Sequence, residues 1–228
     1  MTNPPPPPGR ELALIFDMDG VIVDSNPVHR LAWEAFNRRY GLETTEAMHE
    51  SMYGKRNDDI VRNFFGNLPD EEIVARGAAK EELYREMCVG RLEEMLVPGI
   101  RNFLEEYRGY PMAVASNGEP LNVKYILETS GLRPYFQAVV DGHQVLRPKP
   151  DPEIYLRVAE MLALPPRSCI VFEDSPAGVA AALSAQMRVV GICTTYGYLR
   201  GTSITVHNFD SRDLRQWLAY QRTASGWQ

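Results

Sequence analysis

The sequence predicts an α/β fold in which a doubly wound, Rossmann-like parallel sheet carries an inserted α-helical cap. Three observations support this: buried-strand patterns recur along the chain, helical patterns separate most of them, and polar residues follow three of the strands. The chain has 228 residues, of which 44% are hydrophobic and 24% charged, so it can bury one sizeable core that carries an insertion.

Five apolar stretches have the length and composition of buried strands. They occupy residues 12–16, 112–115, 138–140, 169–172 and 189–193. A continuous apolar run, rather than an alternating one, is typical of parallel strands that helices cover on both faces. Ligands of such sheets bind outside the carboxyl ends of the strands, so the polar residues that follow the first, second and fourth stretches predict a binding crevice.

Two helices in the second half of the chain have clear start signals. Each signal pairs a side-chain cap with a proline at the first helical position. The two helices are predicted at 153–164, after Asp151-Pro152, and at 177–186, after Ser175-Pro176.

Residues 25–96 contain helical patterns only, such as 28–40 and 71–94. This stretch therefore predicts a helical insertion after the first strand. The expected domains are a core of residues 11–24 and 97–228 and a cap of residues 25–96.

The composition excludes several classes of partner. The net charge is −6 and Lys and Arg form no block, so we expect no nucleic-acid partner. No apolar run reaches the roughly 18 residues that span a bilayer, so we expect no membrane partner. Cys88, Cys169 and Cys193 are widely spaced and odd in number, which argues against disulfides or a zinc site. We expect a cytoplasmic protein with buried or half-buried thiols.

Residues 1–10 form a predicted Pro-rich leader. Residues 4–8 are consecutive prolines, a pattern typical of an extended polyproline II arm. Proline also stands where a secretory signal would have its apolar segment, so no export signal is expected. We expect a disordered leader, with a docking ligand as the alternative.

Two carboxylates, Asp17 and Asp19, follow the first predicted strand. Side chains two residues apart in an extended chain point to the same side, so both can face one reacting phosphate. Asp17 suits a nucleophile and Asp19 a general acid/base, because a close pair disfavours double ionisation. The alternative is an ordinary turn or part of a calcium loop. A calcium loop needs further acidic ligands at alternate positions, and residues 21–23 supply none.

Polar residues at the other strand ends fit the same chemistry. Lys149 stands between two prolines and can offset the charge of a phosphate and a carboxylate. Ser116 and Asn117 offer a hydroxyl and backbone N–H groups to phosphate oxygens. Glu173 and Asp174 add carboxylates, which suit Mg²⁺. The structural alternatives are a solvated loop lysine, an ordinary turn and a helix cap, but their joint occurrence at successive strand ends favours a site.

In these motifs the chain resembles the haloacid dehalogenase-like superfamily, and the resemblance covers nearly everything from residue 12 onward. The motifs are Phe16-Asp17-Met18-Asp19-Gly20-Val21, Ala115-Ser116-Asn117-Gly118, Lys149-Pro150-Asp151-Pro152 and Phe172-Glu173-Asp174-Ser175-Pro176-Ala177-Gly178. The best-matching branch includes β-phosphoglucomutase and many sugar-phosphate phosphatases. The resemblance implies Mg²⁺ held by Asp17, the backbone carbonyl of Asp19 and Asp174, with Glu173 beside them. Within the superfamily, Asp19 favours phosphate esters.

In the mutase that the chain resembles, a histidine, an arginine and a lysine of the cap bear on substrate selection. His29 matches the histidine, with packing in an aromatic interface as the alternative, because it shares a helical stripe with aromatic residues. Lys80 matches the lysine, with an exposed helix lysine as the alternative. The loop around Gly54 matches the specificity loop, but Asn57 stands where the mutase has arginine. Lys55 and Arg56 could supply the positive charge from adjacent positions.

We therefore expect an Mg²⁺-dependent phosphatase that acts on a small phosphorylated metabolite, a sugar phosphate, through an aspartyl-phosphate intermediate. A β-phosphoglucomutase-type mutase is the alternative, since it uses the same core and differs in cap closure and phosphate grip. A non-catalytic phosphate-binding protein is a remote alternative, because it would be expected to have lost a nucleophile, acid or metal ligand. The oligomeric state is open, with a monomer as the simplest arrangement.

Overall fold

The computed structural model of the protein describes residues 12–224, and its centre is a parallel sheet of six strands. The strands are β1 (Ala13–Phe16), β2 (Met112–Ala115), β3 (Ala138–Val140), β4 (Cys169–Glu173), β5 (Arg188–Ile192) and β6 (Ile204–Val206). Their order across the sheet is β3-β2-β1-β4-β5-β6, and every neighbouring pair is parallel. The predicted Pro-rich leader lies outside the described residues.

The predicted α/β fold with a doubly wound parallel sheet is confirmed. All five predicted strands are present: β2 and β3 have the predicted bounds, and the ends of the other three are shifted by at most one residue. The sequence pattern did not predict β6. This strand has only three residues, two of them half-buried, and it lies at the edge of the sheet beside β5. A strand this short has too few residues to show a periodicity.

Ten α-helices are described. They are α1 (Asn26–Arg39), α2 (Glu46–Met52), α3 (Asn57–Phe65), α4 (Asp70–Cys88), α5 (Leu92–Met95), α6 (Ile100–Glu106), α7 (Pro120–Thr129), α8 (Glu153–Met161), α9 (Pro176–Ser184) and α10 (Arg212–Ala224). Helices α1 to α6 lie between β1 and β2, so the predicted helical insertion is present. The name cap is kept for α1 to α5, the helices within residues 25–96. The predicted boundaries at residues 25 and 96 stay a prediction.

Two helix predictions need correction. The helical pattern at 71–94 is not one helix, because α4 ends at Cys88 and Gly90 adopts a left-handed φ of +73° before α5 begins. Pro152 is the N-cap of α8 rather than its first residue, although Asp151 Oδ1 still accepts from Glu153 N at 3.0 Å. The start signal of α9 is confirmed: Ser175 Oγ accepts from Gly178 N and Pro176 opens the helix.

Alternate residues of each strand pack against helices on opposite faces of the sheet. Leu14 and Phe16 of β1 pack with α6, α7 and α10, whereas Ala13 and Ile15 pack with α8 and α9. This explains the continuous apolar runs, since both faces of each strand are covered. The cap has a separate core around Trp33, in which residues of α1, α2, α3 and α4 meet. Cys88 and Cys169 are buried and Cys193 is half-buried, as predicted.

The two connections between cap and sheet run side by side. Val23 and Leu96 form an antiparallel bridge, and Val97 N donates to the Ile22 carbonyl at 3.0 Å. The cap therefore leaves and rejoins the core beside the residues that follow β1. Among the described residues, no helix combines the length and apolar character needed to cross a bilayer.

Replacing Phe103 with alanine should destabilise the core strongly. This fully buried ring lies within 6.1 Å, centroid to centroid, of the rings of Phe16, Phe172 and Phe209. A large-to-small change there leaves a cavity, so the free energy of unfolding should fall by about 3–5 kcal/mol in a urea titration. Leu146→Ala is the control, because Leu146 is 90% exposed and should change stability by less than about 0.5 kcal/mol. Similar losses in both variants would contradict the packing described.

Candidate active site

Lys149 joins the polar residues that follow three strands. Its Nζ lies 2.6 Å from Asp17 Oδ1, 2.7 Å from Glu173 Oε1 and 2.9 Å from the Ala115 carbonyl oxygen, so it links the ends of β1, β4 and β2. Burial opposes the charge of Lys149, but Asp17 and Glu173 raise its pKa above the usual value. The side chain is therefore a buried ammonium group, and the alternative of a solvated loop lysine is wrong.

Glu173 is enclosed by donors. Its Oε1 accepts from Lys149 and from Tyr155 OH at 2.7 Å, and its Oε2 accepts from Asp174 N, Ser175 N and Ser175 Oγ at 3.0–3.1 Å. A Cβ at Gly178 would lie 1.8 Å from Glu173 Oε1, so only glycine fits there. The position of Glu173 is thus fixed by its surroundings on every side.

Asp17, Glu173 and Asp174 form a buried acidic cluster whose ligand atoms lie within 4.8 Å of one another. Burial raises the pKa of Asp17 to about 8; Lys149 opposes this shift, while Glu173 and Asp19 add to it. Burial, Glu173 and Asp17 likewise raise the pKa of Asp174 well above its usual value. Three crowded carboxylates with this repulsion fit a divalent cation held by oxygen ligands.

Asp174 also has hydrogen-bond donors from outside the acidic cluster. Its Oδ2 accepts from Thr195 Oγ1 and from Asn26 Nδ2, the latter at 3.2 Å. A Cβ at Gly20 would lie 1.9 Å from this oxygen, and Gly20 has a φ of +79°, so glycine is required on both counts. The turn after Asp19 therefore brings the backbone close to the acidic cluster.

Asp19 faces the cap. Its Oδ1 accepts from Ser25 Oγ and lies 3.5 Å from His29 Nε2. Burial alone would raise the pKa of Asp19, but the hydrogen bonds from His29 and Ser25 bring it below its usual value. Asp19 is therefore a carboxylate in this arrangement, and its partners belong to the segment that leads into the cap and to α1.

A chain of contacts continues from His29 into the cap. Lys80 Nζ lies 2.7 Å from His29 Nδ1 and donates to Glu81 Oε1 at 2.8 Å. Lys80 is only 1% exposed, so the alternative of an exposed helix lysine is wrong. The His29 ring stacks on Tyr84 at 3.8 Å between centroids, so His29 both packs against an aromatic ring and contacts Asp19.

The loop between α2 and α3 contacts the core through backbone and side chain. The Gly54 carbonyl accepts from Asn117 Nδ2 at 2.8 Å, while Asn117 Oδ1 accepts from Lys149 N at 3.2 Å. The side chain of Asn117 is therefore a link between cap and core. Ser116 Oγ accepts from Gly118 N at 2.9 Å and lines the cavity beside Asp17.

Arg56 does not reach the cavity, contrary to the expectation that it could bind substrate. Its guanidinium donates to the carbonyl oxygens of Gly142 and Val145, the latter at 2.6 Å. Lys55 and Asn57, on either side of it, do line the cavity. Adjacent residues of this loop thus point in different directions, which the sequence pattern did not reveal.

Sequence reasoning missed several residues that hold the site, among them Asn26, Tyr155, Ser25 and Thr195. Tyr155 lies on the apolar face of α8, where its hydroxyl is hidden among core residues. Ser25 is the N-cap residue of α1 and makes no side-chain cap bond, because its hydroxyl donates to Asp19 instead. Thr195 lies three residues after the end of β5. Its position as a polar residue beyond a strand end was the one sequence feature that could have indicated its role.

Comparison with known proteins identifies the family. Residues 12–186 match the model of the haloacid dehalogenase-like hydrolase family. The chain belongs to this family. The Escherichia coli fructose-1-phosphate phosphatase YqaB is 34% identical over 80% of this chain and 97% of its own length. The Bacillus subtilis β-phosphoglucomutase is 31% identical over 79% of this chain and 82% of its own length.

Solved structures agree with this assignment. The crystal structure of β-phosphoglucomutase from Clostridium difficile superposes with a TM-score of 0.80 at 26% identity, covering 93% of this chain and 98% of that chain. The hydrolase thus belongs to the branch that contains β-phosphoglucomutase and YqaB. It is a phosphohydrolase of this family or a β-phosphoglucomutase.

A partly open cavity of about 80 Å³ lies between the acidic cluster and the cap of the hydrolase. Asp17, Asp19, Ser116 and Lys149 line it from the core, and residues of α1, α4 and the loop between α2 and α3 line it from the cap. Small-molecule pockets usually enclose about 300–1,000 Å³. The volume of this cavity is below that range.

Tyr155→Phe tests whether Glu173 depends on the hydroxyl donor. The change removes one hydrogen bond to a buried carboxylate and should lower the free energy of unfolding by about 1.5–3 kcal/mol. Tyr135→Phe is the matched control, because it removes a hydroxyl bond of the same 2.7 Å length to Glu105 at the surface. The control should cost less than about 0.5 kcal/mol. Equal costs in urea titrations would show that burial of Glu173 does not matter.

The stability of the metal-free hydrolase should fall as the pH rises from about 4 to about 8. The pKa of Asp17 is raised from 3.8 to about 8, so between these values the native state binds more protons than the unfolded chain. One such group gives a slope of up to about 1.4 kcal/mol per pH unit. Unfolding in EDTA across this range measures the slope, which Mg²⁺ should reduce. Asp17→Asn should flatten the EDTA profile, and an unchanged slope in this variant would contradict the assignment.

Proposed function

We propose that the protein is an Mg²⁺-dependent phosphatase that hydrolyses a small phosphorylated metabolite, a sugar phosphate, through an aspartyl-phosphate intermediate on Asp17. The observation that carries this proposal is the buried arrangement at the strand ends, where Asp17 belongs to the acidic cluster and pairs with Lys149, and Asp19 lines the same cavity. The similarity to a fructose-1-phosphate phosphatase supports the substrate class.

The donor set fits a single divalent cation. Asp17 and Asp174 would hold Mg²⁺ together with the backbone carbonyl of Asp19. Glu173 would support them from beside the ion, because both of its oxygen atoms already accept hydrogen bonds. When bound, Mg²⁺ would offset the negative charge of the phosphoryl group and of the carboxylates around it.

Asp17 and Asp19 divide the chemistry between them. In the first step a carboxylate oxygen of Asp17 bonds to phosphorus, the bond from phosphorus to the ester oxygen breaks, and Asp19 gives that oxygen a proton. In the second step Asp19 takes a proton from water, the water oxygen bonds to phosphorus, and the bond to Asp17 breaks to release phosphate. Lys149 would offset the negative charge of the phosphoryl oxygens, and Ser116 would orient these oxygens through its hydroxyl group.

Asp19 must gain a proton before the first step. In the substrate-free arrangement its pKa is lowered by His29 and Ser25, so it is ionised. A phosphate that binds beside it adds negative charge, which shifts the pKa of Asp19 upward. Substrate binding itself therefore favours the protonated form that the leaving oxygen requires.

A phosphosugar mutase is the second candidate, because β-phosphoglucomutases are among the similar proteins. Such an enzyme must grip a second phosphate at the cap end of its substrate. Here Arg56 is turned away from the cavity, and Asn57 carries no charge. A non-catalytic phosphate-binding protein is disfavoured, since Asp17, Asp19 and Lys149 are all present and close together. The cytoplasmic location and the monomeric state stay predictions.

A phosphate-release screen with Mg²⁺ tests the proposal. Hexose phosphates, shorter sugar phosphates and phosphoglycolate serve as substrates, and rapid release from one of them is the expected result. Asp17→Asn should lower this activity at least about a thousandfold, because it removes the nucleophile. Asp213→Asn, at an exposed position of α10, is the control and should keep full activity.

β-Glucose 1-phosphate with a trace of the 1,6-bisphosphate is run in parallel to detect a mutase. Formation of glucose 6-phosphate with little free phosphate would show that the protein is a phosphosugar mutase and not a phosphatase. Substantial residual activity in Asp17→Asn would reject Asp17 as the nucleophile.

A further inference from the structure

The cavity wall beyond His29 carries a buried ion pair that the proposed chemistry does not use. Lys80 and Glu81 are adjacent in α4 and are 1% and 3% exposed. Glu81 Oε1 accepts from Lys80 Nζ at 2.8 Å, and Glu81 Oε2 accepts from Asn122 Nδ2 of α7. Glu81 thus spans the boundary between cap and core while it lines the cavity.

Glu81 cancels the charge of Lys80. Burial opposes ionisation of Glu81, but Lys80 and His29 lower its pKa to about 2, so the carboxylate is charged at every physiological pH. A second carboxylate, Glu119, lines the same part of the cavity and pairs with Arg85 at 3.1 Å. This wall therefore presents two acidic groups.

Few cations of the cavity wall are available to a ligand at this end. In the described part of the chain, the lysine and arginine residues that line the cavity are Lys55, Lys80 and Lys149. Lys149 is paired with Asp17 and Glu173, Lys80 is paired with Glu81, and Lys55 is exposed. A second phosphate placed here would lose water and meet carboxylates without a buried cation of its own.

We propose that Glu81 is a specificity-determining residue that excludes a second phosphate group, so that the cavity accepts sugar monophosphates whose other end carries hydroxyl groups. Hydroxyls suit this wall because they can accept from Lys80 and Asn122 and donate to carboxylate oxygens. A phosphate dianion would have to compete with Glu81 for the ammonium group of Lys80, and this competition discriminates between the two substrates. The inference rests on the proposed phosphatase activity and deepens it.

Glu81→Gln is the direct test, because it keeps the shape and removes the charge. The measurement is kcat/KM for phosphate release from fructose 1-phosphate and from fructose 1,6-bisphosphate, and the readout is their ratio. The wild type should prefer the monophosphate, and the variant should narrow the ratio about tenfold, through a lower KM for the bisphosphate. A ratio within one variant cancels any loss of folded enzyme, so general damage does not move it.

Glu82→Gln is the matched control. It removes the same charge from the next residue of α4, which is exposed to solvent, and it should leave the ratio unchanged. Glu119→Gln is the second test variant for the case that Glu81→Gln does not fold. Arg85 keeps its bond to Asn122 at 2.8 Å there, so no cation is stranded, and the ratio should narrow by a smaller factor.

The outcomes separate this inference from the proposed function. An enzyme that hydrolyses the monophosphate but accepts the bisphosphate equally well would overturn the role of Glu81 and leave the phosphatase intact. The role of Glu81 is likewise overturned if neither glutamine variant changes the ratio, or if Glu82→Gln changes it as much. An enzyme that releases phosphate from no sugar phosphate would overturn the proposed function and, with it, this inference.

Discussion

The buried ammonium group of Lys149 is the constraint on which the site depends. A charged group without water is costly unless its partners are close and well placed, and removing one partner of a buried pair costs about 3–5 kcal/mol. Lys149 meets this condition through Asp17, Glu173 and the Ala115 carbonyl, which come from three neighbouring strands. The central strand order β2-β1-β4 is what places these partners around one amine. The position of the site residues therefore depends on the strand order of the sheet.

Much of the core could be predicted from the sequence because its signals are local. Each of the five predicted strands is an apolar run, and the catalytic candidates stand directly after three of them, where parallel strands must align their carboxyl ends. Asp17, Lys149 and Asp174 are brought together as predicted. For these residues the chain topology alone fixes the neighbourhood, without any knowledge of side-chain packing.

The cap could not be predicted to the same depth, because its contacts depend on how helices face one another. Arg56 and Asn57 are adjacent, yet one bonds to core carbonyls and the other lines the cavity. Glu81 has the sequence context of an ordinary charged helix residue, and only the approach of α7 reveals its bond to Asn122. Tyr155 likewise has the sequence context of an ordinary core aromatic residue. These roles depend on tertiary packing, which cannot be read from the spacing of residues along the chain.

The two reactive carboxylates have partners in different parts of the chain. Asp17 is held by Lys149, a residue of the core, whereas Asp19 is held by Ser25 and His29, which belong to the entry into the cap and to its first helix. Asp19 therefore depends on contacts with the cap segment, whereas Asp17 depends on contacts within the core. A change in the position of the cap would alter the surroundings of Asp19 and leave the Lys149 contact of Asp17 unchanged. Proton transfer by Asp19 is therefore expected to depend on the position of the cap more strongly than attack by Asp17 does.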